Sequence, residues 1–120
     1  SMEEIFKAKG IKATLEAMGV AEATESDKVV LVAPDIAENG AVVPIKMSSE
    51  LPKTEMMALL VAENPNALAG SYEFIGDTPP VVSMRIKMGQ SSDVVALVKA
   101  DGKYYTATKE VKVTLGGCGG

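Results

Sequence analysis

The stretch VVSMRIKM, residues 81–88, places apolar side chains at every second position from Val82 to Met88. The positions between them include the charged side chains of Arg85 and Lys87. Successive side chains of a strand point to opposite faces, so a period of two predicts a strand with one buried face. The last run of the chain alternates in the same way, with valines and a leucine opposed to polar residues over positions 110–115.

Around this stretch the chain divides into seven short runs of β type, separated by turn signals. Asp101-Gly102 lies between two of them and predicts a tight hairpin of a primed type. The number and spacing of the runs predict a mainly β fold, an antiparallel immunoglobulin-like β-sandwich at residues 26–115. The cysteine–tryptophan core of antibody domains is absent, so only the architecture is implied. The runs span residues 28–33, 41–47, 55–62, 71–76, 81–88, 93–100 and 103–115.

Residues 2–19 have the pattern of an amphipathic helix, and we assign residues 1–20 to an N-terminal helical segment. Apolar side chains recur at steps of three and four, and Gly19 is a plausible stop. Two interpretations remain open: the helix covers one side of the sandwich, or it docks a partner. The apolar residues of the stripe are Met2, Ile5, Phe6, Ile11, Leu15 and Met18.

Two apolar runs, residues 29–33 and 56–62, do not alternate. Such a run is covered on both faces or turns apolar side chains towards a partner. The seven methionines of the chain suit either role, as core filler or as part of an adaptable interface.

Composition narrows the possible functions. The 120 residues suffice for one domain, and 47% are hydrophobic. A net charge of −4 without a basic cluster argues against nucleic acid, and no apolar run is long enough to span a membrane. The chain has no histidine and one cysteine, which argues against a self-sufficient hydrolase and predicts neither metal nor cofactor. Ser1-Met2 resembles a cloning remnant, so a missing export signal does not indicate the cytoplasm.

The only cysteine, Cys118, lies within a glycine-rich segment at residues 116–120. Glycine loses the most entropy on ordering, so we expect this segment to be a flexible arm that holds the thiol about 10 Å from the last strand. The thiol could be a covalent carrier, an inter-chain disulfide anchor, a redox-sensing or catalytic group, or a conjugation tag. A thiocarboxylate formed on the final Gly-Gly is a further alternative. The glycines of the arm are Gly116, Gly117, Gly119 and Gly120.

Two motifs resemble the SoxY family, the sulfur-carrier subunit of the bacterial Sox sulfur-oxidising system. They are the terminal GGCGG (residues 116–120) and PDIAENGAVVPIKM (residues 34–47), which is similar to the family's IAENG…VP segment. The resemblance covers essentially the whole chain. By analogy, Asn39 and Gly40 form a structural turn and are not part of a site.

The resemblance implies a periplasmic, non-catalytic protein that carries sulfur covalently on Cys118 during thiosulfate or sulfide oxidation. It implies pairing with a SoxZ-like subunit or a homo-oligomer, and transient docking to three enzymes. The haem enzyme SoxAX would join thiosulfate to the thiol, SoxB would release sulfate, and SoxCD would oxidise the remaining sulfur in some organisms. The alternative kept open is a structural subunit whose Cys118 forms an inter-chain disulfide.

Overall fold

The computed structural model describes residues 9–114. Within that range the chain forms one helix and nine strands, and the mainly β fold is confirmed. No helix in this part of the chain is long and apolar enough to cross a membrane. The elements are α1 (Lys9–Ala17), β1 (Thr24–Glu25), β2 (Val29–Val32), β3 (Ile36–Ala37), β4 (Val43–Ser49), β5 (Thr54–Val61), β6 (Leu68–Glu73), β7 (Val81–Ile86), β8 (Ser92–Ala100) and β9 (Lys103–Val113).

The strands form two sheets that pack face to face. The large sheet has the order β1-β9-β8-β5-β6, with β3 paired to the same edge of β9 as β1. The small sheet has the order β2-β4-β7 and is antiparallel throughout. A core of valines, methionines, Ile45, Leu59 and Ile86 fills the space between the sheets. The predicted antiparallel sandwich is therefore confirmed.

The hairpin at Asp101-Gly102 joins the two longest strands, β8 and β9. Asp101 has a φ of 52° and Gly102 a φ of 81°. Positive φ at both central residues defines the primed turn whose twist matches that of the flanking strands. The prediction of a tight primed hairpin is confirmed, and it fixes the register of β9 against β8 from Lys103 onwards.

The alternation at residues 81–88 is also confirmed. Ile86 and Met88 are buried and Met84 is half-buried, whereas Arg85 and Lys87 are exposed. The inward side chains contribute to the core between the sheets. Methionine serves here as core filler, because Met47, Met57 and Met88 are almost entirely buried.

The non-alternating run on β5 is covered on both faces. Leu59 and its alternate neighbours face the small sheet, whereas Leu60 belongs to a second cluster with Ile11 and Leu15 of α1. The described part of the amphipathic helix thus covers the outer face of the large sheet. The carboxyl end of α1 is capped by a hydrogen bond from the Val20 N–H to the Leu15 carbonyl, 2.9 Å long. Met2, Ile5 and Phe6 lie outside the described residues.

Leu60→Ala is expected to lower the free energy of unfolding by about 3 kcal/mol, because it opens a cavity under the helix. Leu59→Ala should lower the free energy of unfolding by a similar amount, because Leu59 is also fully buried, in the core between the two sheets. Chemical denaturation measures both. Hydrogen exchange should show α1 losing protection preferentially in Leu60→Ala. Ile75→Ala is the control, because Ile75 is 81% exposed and its loss should be neutral. A neutral Leu60→Ala would show that the helix is not part of the cooperative unit.

Three strands differ from the prediction. β1 and β3 are two residues long, too short to produce a visible period, and they pair with β9 in parallel. The predicted strand at 71–76 begins earlier and ends earlier, as β6, because the backbone turns where the Thr78 N–H donates to the Ile75 carbonyl.

The predicted division into segments 1–20, 26–115 and 116–120 remains a prediction, and the arm lies outside the described residues.

Candidate functional site at the end of the last strand

The predicted site residues, Cys118 and the four glycines of the arm, lie outside the described residues. The structure does fix the point from which that segment continues. β9 ends at Val113, and Thr114 is the last residue described. The surroundings of Thr114 therefore determine where the thiol-bearing segment starts on the body of the protein.

Strand β3 holds the carboxyl end of β9 by parallel pairing, with Ile36 opposite Lys112 and Ala37 opposite Val113. The Lys112 N–H donates to the Asp35 carbonyl at 3.0 Å, and the Thr114 N–H donates to the Ala37 carbonyl at 3.1 Å. The Thr114 hydroxyl lies 3.4 Å from the carbonyl oxygens of Ala37 and Glu38. Thr114 is thus bonded through both its backbone and its side chain.

A turn at Asn39-Gly40 brings a second segment against β9. The Asn39 side-chain oxygen accepts the Ala41 N–H at 3.0 Å, and its carbonyl accepts the Val42 N–H at 3.2 Å. The Met88 N–H donates to the Gly40 carbonyl at 2.7 Å. A Cβ at residue 40 would lie 3.1 Å from Cγ1 of Val113. The predicted structural turn is confirmed, and it packs against the end of β9.

The edge of β9 that faces β8 is held as well, because the Val113 N–H donates to the Ser91 hydroxyl at 2.9 Å. The carboxyl end of β9 is therefore hydrogen-bonded along both edges. We call this region the arm base and define it as residues 35–40 together with residues 112–114. The sequence analysis identified residues 34–47 as a motif but did not predict that they pair with β9. A strand of two residues, such as β3, produces no periodic pattern from which this pairing could be predicted.

An ion pair links the arm base to Lys109, further back on β9. The Lys109 Nζ lies 2.9 Å from a carboxylate oxygen of Asp35. The hydrogen bond from Lys109, and then its charge, hold the pKa of Asp35 below its ordinary value. A carboxyl whose pKa is lowered on folding stabilises the protein at neutral pH, and this contribution is lost as the pH falls through the folded-state pKa. Asp35 is exposed to solvent, so the effect of the pair on stability is small.

Lys109→Gln is expected to raise the pKa of Asp35 towards its ordinary value, because both interactions that favour the carboxylate are removed. Lys112→Gln is the matched control, since Lys112 is an exposed lysine of the same strand whose backbone N–H, not its side chain, bonds to residue 35. An NMR titration of the Asp35 carboxyl carbon measures both variants. Equal titration curves for Lys109→Gln and the wild type would contradict the ion pair.

The outer face of the small sheet carries a groove of about 780 Å³ beside the arm base. Its lining is mainly apolar, and its charged members are two cations, Lys46 and Arg85. Val32 contributes to it and is 57% exposed, so the non-alternating run on β2, unlike that on β5, is not covered on both faces. The remaining lining residues are Ala33, Pro34, Pro44, Ile45, Ser83 and Met84.

Residues 9–114 contain no group of three or more acidic, histidine or cysteine side chains that could hold a metal ion. The features that bear on function are therefore the arm base, the groove beside it and the thiol that follows in sequence. Together they define a class of protein: a small, helix-covered β-sandwich with a single-thiol segment continuing from its firmly held last strand.

The chain belongs to the SoxY family, because the family model described as "Sulfur oxidation protein SoxY" matches residues 14–118. The solved structure of the sulfur carrier protein SoxY from Chlorobium limicola f thiosulfatophilum is similar over 88% of this chain and 96% of that one. Its sequence identity is 32% and its TM-score is 0.78. These similarities confirm the family assignment made from GGCGG and IAENG.

A superoxide reductase (neelaredoxin) from Ignicoccus hospitalis also has this fold. It matches 88% of this chain and 90% of its own, with a TM-score of 0.64 and 18% identity. At that identity the likeness concerns the fold alone. No curated protein sequence matches the chain.

Proposed function

We propose that this protein is a covalent carrier of sulfur intermediates, loaded and unloaded at Cys118 by partner enzymes. The observation that carries the proposal is the extent of the family match, which runs to residue 118, the position of the only cysteine. The SoxY protein from Chlorobium, which is similar over nearly its whole length, is described as a sulfur carrier. The held end of β9 supports this role, because it gives the thiol a defined origin.

The proposed chemistry requires only a thiol from this chain. In the loading step the Cys118 thiol and thiosulfate form an S–S bond, the thiol proton is released, and two electrons pass to a haem enzyme of the SoxAX type. The product is a cysteine S-thiosulfonate. Water then attacks its terminal sulfone in a SoxB-type enzyme, so that sulfate leaves and a persulfide remains on Cys118. The carrier itself is not an enzyme in this scheme.

The proposal also includes the setting of these reactions. We expect a SoxZ-type subunit as the stable partner, with a second copy of this chain as the alternative. We expect SoxAX and SoxB, and in some organisms SoxCD, as transient partners in the periplasm. Glycines on both sides of Cys118 suit such a carrier, because a chain without Cβ atoms is thin and enters narrow channels.

Intact-mass spectrometry of the protein isolated from cells that oxidise thiosulfate tests the proposal. Thiosulfonate and persulfide adducts are expected, and both should disappear on reduction. Lys112 is the last basic residue, so trypsin releases the thiol in a peptide of residues 113–120, on which the adducts should be found. A protein whose only modification is a Cys118 disulfide between two chains, active in that form, would instead support the structural-subunit alternative.

A further inference from the structure

We propose that the groove on the small sheet is the surface on which the loading enzyme docks, and that the enzyme face which fills it is apolar with carboxylates at its rim. This inference rests on the proposed function of Cys118. It assigns a role to the groove that the carrier chemistry alone does not require.

The reach of the arm limits where such an enzyme can bind. Thr114 is held by hydrogen bonds to Ala37, and Cys118 follows four residues later. Four extended residues span at most about 14 Å, so the Cα of Cys118 stays within that distance of Thr114 and the enzyme must bring its reacting centre to a thiol in this zone. An enzyme surface that close necessarily covers part of the body around the arm base.

The groove lies within that zone. Pro34, one of its lining residues, directly precedes Asp35, whose carbonyl accepts the Lys112 N–H. On its other side, the lining residue Pro44 follows four residues after Gly40, where a Cβ would lie 3.1 Å from Cγ1 of Val113. Pro34 is adjacent to the arm base, and four residues of chain span about 14 Å at most, so both margins of the groove lie close to the arm base.

Two other apolar surfaces, both on the large sheet, are poorly placed. The outer face of the large sheet is covered in its centre by α1, which contacts Leu60 and Leu97. The exposed side chain of Tyr72 lies on β6, which is three strands away from β9 in the sheet order. Three strand spacings amount to about 14 Å, so an enzyme centred there would be at the limit of the arm.

The exposed part of the groove is suited to a protein partner. Val32 is 57% exposed, and Pro44 is an exposed apolar residue on the same outer face. In the register of the sheet, Val32 is opposite Lys46, and Pro44 is opposite Arg85. Apolar and cationic side chains therefore alternate across neighbouring strands, which provides desolvated contact area together with fixed charges.

The two cations indicate the charge of the partner. Among the described residues, neither Lys46 nor Arg85 has an ion pair or a side-chain hydrogen bond, and no carboxylate lines the groove. The chain as a whole has a net charge of −4, so this is a local cationic region on an acidic protein. An enzyme surface with carboxylates at matching positions would be attracted and oriented by it.

Val32→Glu tests the surface, with Val81→Glu as its matched control. Both valines are about half exposed and belong to edge strands of the small sheet, but Val81 lies at the end away from the arm base. The rate of thiosulfate loading by the purified SoxAX-type enzyme of the host is expected to fall at least tenfold in Val32→Glu, on the scale of an interface hot spot, and to change little in Val81→Glu. Alkylation of Cys118 by iodoacetamide should be equal in all three proteins.

The charges are tested by Arg85→Gln combined with Lys46→Gln. Loading of the wild type should slow as ionic strength rises, and the double variant should show a weaker salt dependence, because the steering charges have been removed. The melting temperatures of these variants should match that of the wild type, because the substituted side chains are exposed. Equal melting temperatures would show that a change in the loading rate is not caused by unfolding.

The possible outcomes separate the two proposals. If the wild type is loaded and Val32→Glu is loaded equally fast, the docking surface is wrong and the carrier function stands. If Val32→Glu loses binding of a SoxZ-type subunit, or changes the molecular mass in light scattering where Val81→Glu does not, the groove is a subunit interface and the docking proposal is overturned. If the wild type acquires no sulfur from the enzyme, the carrier function fails and the docking surface with it.

Discussion

Cys118→Ser is expected to reduce thiosulfate oxidation in cells to the background rate, while the melting temperature of the protein stays unchanged. The effect is total because the chain has a single cysteine, and a serine hydroxyl cannot form the S–S bond to thiosulfate. The substitution should not change the stability of the fold, because the core between the sheets and the core under the helix are both formed by residues before position 114. Oxygen uptake with thiosulfate, and thermal unfolding of the purified variant, measure the two halves of this prediction.

A relocated thiol provides the control. The double variant Cys118→Ser/Ser71→Cys carries its cysteine on β6, on an exposed position of the sheet body. It should react with iodoacetamide but accept no sulfur from the partner enzymes, because a thiol on a strand cannot enter an active-site channel. Thiosulfate oxidation by this variant, or sulfur adducts on the Cys118→Ser protein, would contradict the role assigned to the arm.

Gly40→Ala is expected to lower the free energy of unfolding by about 3 kcal/mol, the scale of overpacking in a rigid site. The new methyl group would overlap the backbone carbonyl oxygen of Met88 and lie 3.1 Å from Cγ1 of Val113. Neither neighbour can withdraw easily, because the Met88 N–H is itself bonded to the Gly40 carbonyl. Urea denaturation measures the loss of stability.

Gly89→Ala is the matched control, one residue after Met88. A Cβ at residue 89 would meet no atom within 4 Å, so the substitution should be neutral or slightly stabilising. A nitroxide label on Cys118 offers a second measurement, since a displaced arm base should change the label's mobility in Gly40→Ala and not in Gly89→Ala. Equal stability of the two alanine variants would show that the turn yields without cost.

Much of the fold could be predicted from local pattern. The alternation at residues 81–88 and the Asp101-Gly102 hairpin each depend on residues close in sequence, so the sequence carries their signal directly. β1 and β3 could not be found in this way. They consist of two residues each and exist because β9 offers them a free edge, a condition set by the tertiary fold.

The candidate site likewise has a part that the sequence predicts and a part that depends on the tertiary fold. The thiol is evident from composition, because Cys118 is the only cysteine, and the two motifs indicate the family. The support of the arm was not predictable, since Thr114 and Ala37 are 77 residues apart in sequence. The groove likewise requires the register of three strands, and the run containing Val32 left two alternatives open, an apolar face covered by the protein itself or one turned towards a partner.

The bonding of β9 along both edges has a mechanical consequence. In the proposed carrier function, a partner enzyme that binds Cys118 pulls on the chain that follows Thr114, and the tension passes into the end of β9. A pull directed along the strand loads the hydrogen bonds to β3 and to Ser91 side by side, so that they must break together and not one after another. The hydrogen bonds at the end of β9 therefore resist the pull together. In the proposed function, they protect the core of the sandwich from strain while the sulfur adduct on Cys118 reacts in the active site of the enzyme.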